Sequence, residues 1–290
     1  MSDREAFRLH DQEVAAGTRA RVDVPVARLT TGEWVHLPVQ VVHGSREGPG
    51  VWLSGAVHGD ELDGVEIIRR VLGRLRVPSL AGTVLAVPIV NVFGFVAENR
   101  YLPDRRDLNR SFPGAARGSM ASRLAHLFMT EIVGRCRYGI DYHCGSDDRD
   151  NLPQVRGNLE DEETRALARA FGGPLVIHGR PPDGSLRKEA VKAGARVLLY
   201  EGGEARRFTP RAIETGIRGT IRVLRHLGMV GGDDEGPDEP APEAWKTHWI
   251  RAGRSGICRL DVEKDIPCDR ATRNTLLETL GRMIPKYKMV

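Results

Sequence analysis

The stretch "GAVHGDELDG" at residues 55–64 sets His58 and Glu61 three residues apart between glycines, just after the apolar run "VWLS". An imidazole and a carboxylate at the end of a buried strand cost free energy unless something pairs with them. The partner could be a helix terminus, a salt bridge or a metal ion. A catalytic zinc takes three protein ligands, His2Glu being a common set, and keeps a fourth position for water. His58 and Glu61 would supply two ligands across a tight turn, where glycine lets the backbone approach closely. The third ligand belongs at a distant strand end. His143 in "YGIDYHCGSDD" has that setting, because its strand runs into the turn signal Gly145-Ser146. A plainer reading stands beside the metal: Glu61 favours the positive end of a helix starting there, and His58 is a loop histidine.

Strands that end together must position such a group. Alternating residues at 21–29 ("RVDVPVARL") and 34–43 ("WVHLPVQVVH"), parted by "TTGE", predict a β-hairpin. Apolar runs at 51–57, 83–90, 138–143, 174–178 and 196–200 predict further strands. Helical spacing recurs at 61–76, 119–136, 160–171, 185–194 and 209–228. Strands alternating with helices argue for an α/β domain with a largely parallel or mixed sheet flanked by helices. Ligands in such sheets gather beyond the C-terminal ends of the strands. His58, His143 and Glu201 fall at three of those ends.

The 290-residue chain, 40% apolar, can form one large domain or one large and one small. Residues 231–243, "GGDDEGPDEPAPE", hold no core-forming side chain and read as an acidic linker between a domain over 1–230 and a segment over 244–290. No apolar run approaches the ~20 residues that span a bilayer, and the charged start "MSDREAFRLHDQEVAAG" has no signal-peptide core. Cys136, Cys144, Cys258 and Cys268 form no CxxC pair. The expectation is a reduced, cytoplasmic protein without a membrane partner. The net charge of +4 comes from 37 arginines and 6 lysines, and the arginines are spread along the chain, so no nucleic-acid partner is expected. A homo-oligomer is compatible with the sequence but not readable from it.

The loop "AENRYLPDRRDLNRSFPG" (97–114) is polar and arginine-dense, and a structureless loop of 18 residues is more often functional than filler. With it, "GAVHGDE", "VPIVNVFGF", "DYHCG" and "LLYEGGE" occur in an order that resembles the succinylglutamate desuccinylase/aspartoacylase family. The resemblance covers roughly residues 20–230 and implies a zinc carboxypeptidase-like fold. It implies His58, Glu61 and His143 as ligands of one Zn²⁺ per chain, Glu201 as general base and Arg100 as the residue polarising the scissile carbonyl. Asn109 and Arg110 match the substrate-contacting pair of "DLNR", and Arg187 in "GSLRKEAVKAG" matches an arginine that holds a substrate carboxylate. Its separation from Glu201 is longer than in aspartoacylase itself. The activity implied is hydrolysis of the amide bond of an N-acylated amino acid, a small-molecule substrate.

Relatives in that family carry a C-terminal β-rich domain. Here "KTHWIRAGRSGICRLDVE" (246–263) begins like one, but the remainder reads as an amphipathic helix around 270–283. A shortened domain or a shifted reading frame would each produce that pattern. Two other activities stay open on the residues: a metallocarboxypeptidase on the same fold, and a non-catalytic zinc- or nucleic-acid-binding protein. Asp141, two residues before His143 on one strand face, would orient that ligand or serve a capping role at the surface. Cys144 points away from the face that His143 uses, which disfavours a thiol nucleophile. His178 precedes a proline-rich turn and is expected to be structural or solvent-facing.

Overall fold

The computed structural model describes residues 4–146, 149–232 and 240–247. Near the N-terminus, β1 (Phe7–Leu9) and β2 (Gln12–Val14) pair as a small antiparallel ribbon. The alternating stretches form β3 (Thr18–Arg28) and β4 (Trp34–His43), an antiparallel hairpin with Arg28 opposite Trp34. Their inward residues Val22, Val24, Leu37, Val39 and Val41 are fully buried, as a two-sided strand pattern requires.

The chain then alternates strand and helix. β5 (Arg46–Ser54), α1 (Asp63–Arg74), β6 (Ala81–Val87), α2 (Val92–Val96) and α3 (Met120–Glu131) lead to β7 (Tyr138–Gly145). There follow β8 (Asn151–Gly157), α4 (Glu162–Phe171), β9 (Val176–His178), α5 (Leu186–Lys192), β10 (Arg196–Glu204), α6 (Pro210–His226) and β11 (Glu243–Ala244). Among the described residues, nine strands make one mixed sheet in the order β11-β9-β8-β10-β7-β5-β6-β4-β3. β10, β7, β5 and β6 run parallel to one another, whereas β8 runs antiparallel to β10.

Every residue of β6 and β7 is buried, which fits strands covered on both faces. On one face α1, α4 and α6 pack Ile67, Ile68, Phe171 and Ile217 against Tyr142 and Tyr200. On the other, α3 and α5 bring Phe128 and Leu186 against Trp52 and Val197. The Trp52 ring lies across the backbone of Gly139 on β7, where a Cβ would come within 2.0 Å of it. Only glycine admits that ring, so this strand can carry His143 beside β5 only with a bare backbone at 139.

The sequence pattern anticipates the mixed α/β sheet and most of its elements. β8 goes unanticipated because "NLPQVRG" reads as polar, and its polar residues turn out to face the functional site. α2 is a short helix capped by Asn91, whose side chain accepts from the Gly94 amide at 2.8 Å. Residues 240–245 return to the sheet: Val176 donates to the Pro242 carbonyl, and Glu243 accepts from Arg165 and Arg169. The chain from 248 onward, including the helix expected over 270–283, lies outside the described residues. No described helix is long and apolar enough to cross a membrane.

Candidate active site

β5 ends at Ser54, and the chain turns sharply through residues 55–62 before α1 begins. Hydrogen bonds from Val90 to the Gly55 carbonyl and from Asn91 to the Ala56 carbonyl stitch this turn to the segment after β6. Gly59 lies against the backbone of Gly94, and a Cβ there would approach the Gly94 carbonyl carbon to 1.9 Å. The amide of Glu61 donates to the His58 carbonyl at 3.2 Å, closing the turn. α1 starts only at Asp63, so Glu61 stands outside its first turn and is turned toward two histidines instead.

Those histidines are His58 and His143. Nδ1 of His58 lies 2.7 Å from Oε1 of Glu61, and Nδ1 of His143 lies 2.8 Å from Oε2. All three residues are buried, and their ligand atoms lie within 4.8 Å of one another. The outer nitrogens are held by carboxylates. His143 Nε2 donates to Asp141 at 2.9 Å, and His58 Nε2 donates to Asp107 at 3.2 Å. Asp141 is itself fixed by the Ser54 hydroxyl, which donates to it at 2.7 Å. Imidazoles anchored on one nitrogen by a carboxylate, with the other nitrogen aimed at a shared point, are arranged as metal ligands are. Two imidazoles and one carboxylate also form a donor set suited to a divalent transition metal. The residues therefore fit a metal ion.

The surrounding charges are paired tightly. Arg100 donates to Asp107 from Nη2 at 2.9 Å, and its Nη1 lies 3.6 Å from Glu61. Burial opposes ionisation of Glu61, but the two imidazoles outweigh it and hold the carboxyl far below its usual range. For His143, burial opposes charge, while Asp141 and Glu61 prevail and raise the imidazole well above its ordinary value.

Glu201 sits beside this group on β10, opposite His143 on β7 and opposite Gln154 on β8. Burial raises its carboxyl above the ordinary glutamate value, and the Asn151 amide, which donates to it, works the other way. Arg187, near the start of α5, is only 6% exposed, and its Nε and Nη1 find no hydrogen-bond partner among the described residues. Burial, and then the nearby Arg156, lower its guanidinium to about 10. The buried Asn109 accepts from the Leu186 amide at 2.9 Å and so ties the 97–114 loop to the helix bearing Arg187. Arg110 is exposed and donates to the Asn109 carbonyl at 2.7 Å.

The fold thus gathers His58, Glu61, His143, Arg100 and Glu201 at one set of strand ends, with Arg187 beneath, and leaves Arg110 facing solvent. Asp141 is buried against His143, not at the surface. Asp107, Ser54, Asn151 and Arg156 were not read as site residues from the sequence. Asp107 lies inside the "RRDLNR" loop motif, but its spacing alone gives no sign that it holds the His58 ring. His178 is structural: it accepts from the Leu159 amide at 3.1 Å and stacks on Trp245. Cys144 is buried, and burial with the neighbouring carboxylates pushes its thiol far above the usual range. A thiolate is unavailable there, so Cys144→Ala should keep turnover within about threefold of wild type in a steady-state assay.

Fold and site together define a carboxypeptidase-like α/β enzyme. The profile of the succinylglutamate desuccinylase/aspartoacylase catalytic domain matches residues 47–227, and the chain belongs to that family. It is 32% identical over 241 residues to the N-alpha-acetyl-L-2,4-diaminobutyric acid deacetylase of Halomonas elongata, covering 79% of this chain and 70% of the relative. Among solved structures, succinylglutamate desuccinylase/aspartoacylase from Rhodobacter sphaeroides superposes with a TM-score of 0.71 at 28% identity, over 84% of this chain and 73% of that one. The product-bound ectoine utilization protein EutE (DoeB) from Ruegeria pomeroyi gives a TM-score of 0.71 at 25% identity, over 86% and 74%.

Proposed function

We propose that this protein is a zinc-dependent deacylase that hydrolyses the amide bond of an N-acylated amino acid. The observation that carries the reading is the buried His58–Glu61–His143 group with Glu201 opposite His143 on the next strand. The three residues would hold Zn²⁺, which when bound supplies Lewis acidity and brings the pKa of water toward ~7.

The chain's own residues account for the other requirements. Glu201 takes the proton of the attacking water on its carboxylate and later delivers it to the departing amine nitrogen. Arg100, clamped by Asp107, presents its guanidinium beside Glu61 and offsets negative charge developing on the scissile carbonyl oxygen. Asp107 and Asp141 keep both imidazoles in one orientation. Arg187 holds a carboxylate of the substrate, with Asn109 fixing the helix from which it projects. A charge-assisted contact in a buried site contributes strongly because neither partner can be replaced by water. The relative from Halomonas elongata, named for a deacetylase, supports the choice of acyl amino acids.

The test is a panel of N-acetyl, N-succinyl and N-formyl amino acids, N-acetyl-2,4-diaminobutyrate among them, alongside short peptides with free C-termini. Amine release from acyl amino acids and not from peptides is the expected result. The converse would favour a carboxypeptidase. Within the panel, a substrate with its free carboxylate should exceed the matching carboxamide by ~10²-fold in kcat/KM. Arg187→Ala should remove most of that margin with metal content unchanged. Equal rates for acid and amide in wild type would dispose of the carboxylate contact.

A further inference from the structure

β8 carries a second arginine, Arg156, partly buried and, like Arg187, with a buried guanidinium nitrogen that finds no partner among the described residues. Because β8 runs antiparallel to β10 with Gln154 opposite Glu201 and Arg156 opposite Leu199, Gln154 and Arg156 share the sheet face on which Glu201 stands. Arg187 reaches the same region from α5, close enough to feel the charge of Arg156. Nε of Arg156 is buried without a hydrogen-bond partner, as are Nε and Nη1 of Arg187.

Asp141 and Glu201 act on Arg187 through their charge but accept no hydrogen bond from these nitrogens. Asp141 already accepts from Ser54 and His143, and Glu201 accepts from Asn151. Two like charges brought together with donors unmet are destabilising in the free protein, and such groups persist where a ligand completes them. The unmet donors are one N–H on each Nε and two on Arg187 Nη1. One ionised carboxylate, with two oxygens, can accept an N–H from each of the two guanidiniums. Toward the start of β10, Arg187 also lines a cavity of about 380 Å³ together with Asn158, Asp161, Val191 and Val197.

We propose that Arg156 and Arg187 together form a two-guanidinium seat for a carboxylate of the substrate, with Arg156 a specificity-determining residue. The identity of the substrate rests on the deacylase reading above; the seat itself rests on the paired, unsatisfied guanidiniums. Three carboxylates could occupy it: the α-carboxylate, one on the amino-acid side chain, or one ending the acyl group.

The experiment compares wild type, Arg156→Gln and Arg156→Lys on N-acetyl-L-alanine, its carboxamide, N-acetyl-L-aspartate and N-succinyl-L-alanine. Calorimetric titration with succinate is run on the same three proteins. For the substrate whose carboxylate is seated, Arg156→Gln should raise KM at least tenfold and change kcat less than threefold, with partial recovery in Arg156→Lys. The carboxamide should not respond. Loss confined to N-acetyl-aspartate assigns the side chain, loss confined to N-succinyl-alanine assigns the acyl end, and loss on all three acids assigns the α-carboxylate. Without ligand, Arg156→Gln should melt no lower than wild type, since it removes an unsatisfied charge. A lowered Tm with unchanged KM would make Arg156 structural and overturn the proposal. If wild type hydrolyses none of the four, the wider panel above decides the deacylase reading and succinate binding decides the seat. Binding weakened at least tenfold in Arg156→Gln sustains it, and binding that is equal in both, or absent from both, overturns it.

Discussion

Replacing Glu201 with glutamine is expected to leave fold and metal content unchanged while lowering kcat by ~10²-fold or more. The residue is not among the three buried metal-capable groups, and it stands opposite His143 on the neighbouring strand. Glutamine keeps the size of the side chain and can still accept from Asn151, so the change removes the base and little else. The pH profile adds a second reading of the same group. Burial raises the Glu201 carboxyl above its ordinary value of 4.5, and only the ionised form can take a proton. Activity should therefore fall as pH drops, with a midpoint above 4.5. The Asn151 amide favours the carboxylate, so Asn151→Ala should move that midpoint to still higher pH. Steady-state rates between pH 4 and 9, with elemental analysis of each variant, check both statements. Near-normal kcat in Glu201→Gln would place the base elsewhere.

His143→Ala should abolish metal binding and turnover together, and it should also weaken the fold. Glu61 and Asp141 each lose a partner at a position that water reaches poorly. Removing one member of a buried, hydrogen-bonded charge pair costs roughly 3–5 kcal/mol. In a domain of this size that lowers Tm by ~10 °C. Asp141→Asn separates the two effects. It keeps the strand and the Ser54 contact but presents a weaker acceptor to His143, so metal affinity should fall by ~10–100-fold with turnover restored by excess metal. Elemental analysis and a chelator titration distinguish these outcomes. Full metal content in His143→Ala would remove the assignment of this group.

The elements that hold the site were legible where burial dictates the residue pattern. The hairpin of β3 and β4 alternates because one face is covered, and β5, β6, β7 and β10 show as apolar runs because both faces are. β8 was illegible for the opposite reason. Gln154 and Arg156 face the site, so the strand lacks the apolar signature that packing would have imposed. His58, Glu61 and His143 stood out because buried groups of those types need a partner. Asp107 did not, because nothing in its spacing tells that a residue 49 positions from His58 will hold that ring. A helix starting at Glu61 would have made the carboxylate a cap. The start at Asp63 frees it for the imidazoles.

The site is divided unevenly across the sheet. Its metal-capable residues stand on β7 and on the turn after β5, where Gly59 and Gly139 admit no side chain. Arg156, Arg187 and Asn109 stand on β8, α5 and the 97–114 loop, where exposed positions and open space adjoin them. Substitutions on the first half would be met by steric conflict and unpaired charge, whereas the second half offers the partly buried Arg156 and the exposed Arg105, Arg106 and Arg110 beside its buried anchors. A lineage of such proteins could exchange one acyl amino acid for another by drift on β8 and the loop while its hydrolytic apparatus stayed fixed. A directed-evolution library aimed at new substrates is best placed at 154, 156 and the exposed loop positions 105, 106 and 110, with Asp107 and residues 55–64 and 139–144 held constant.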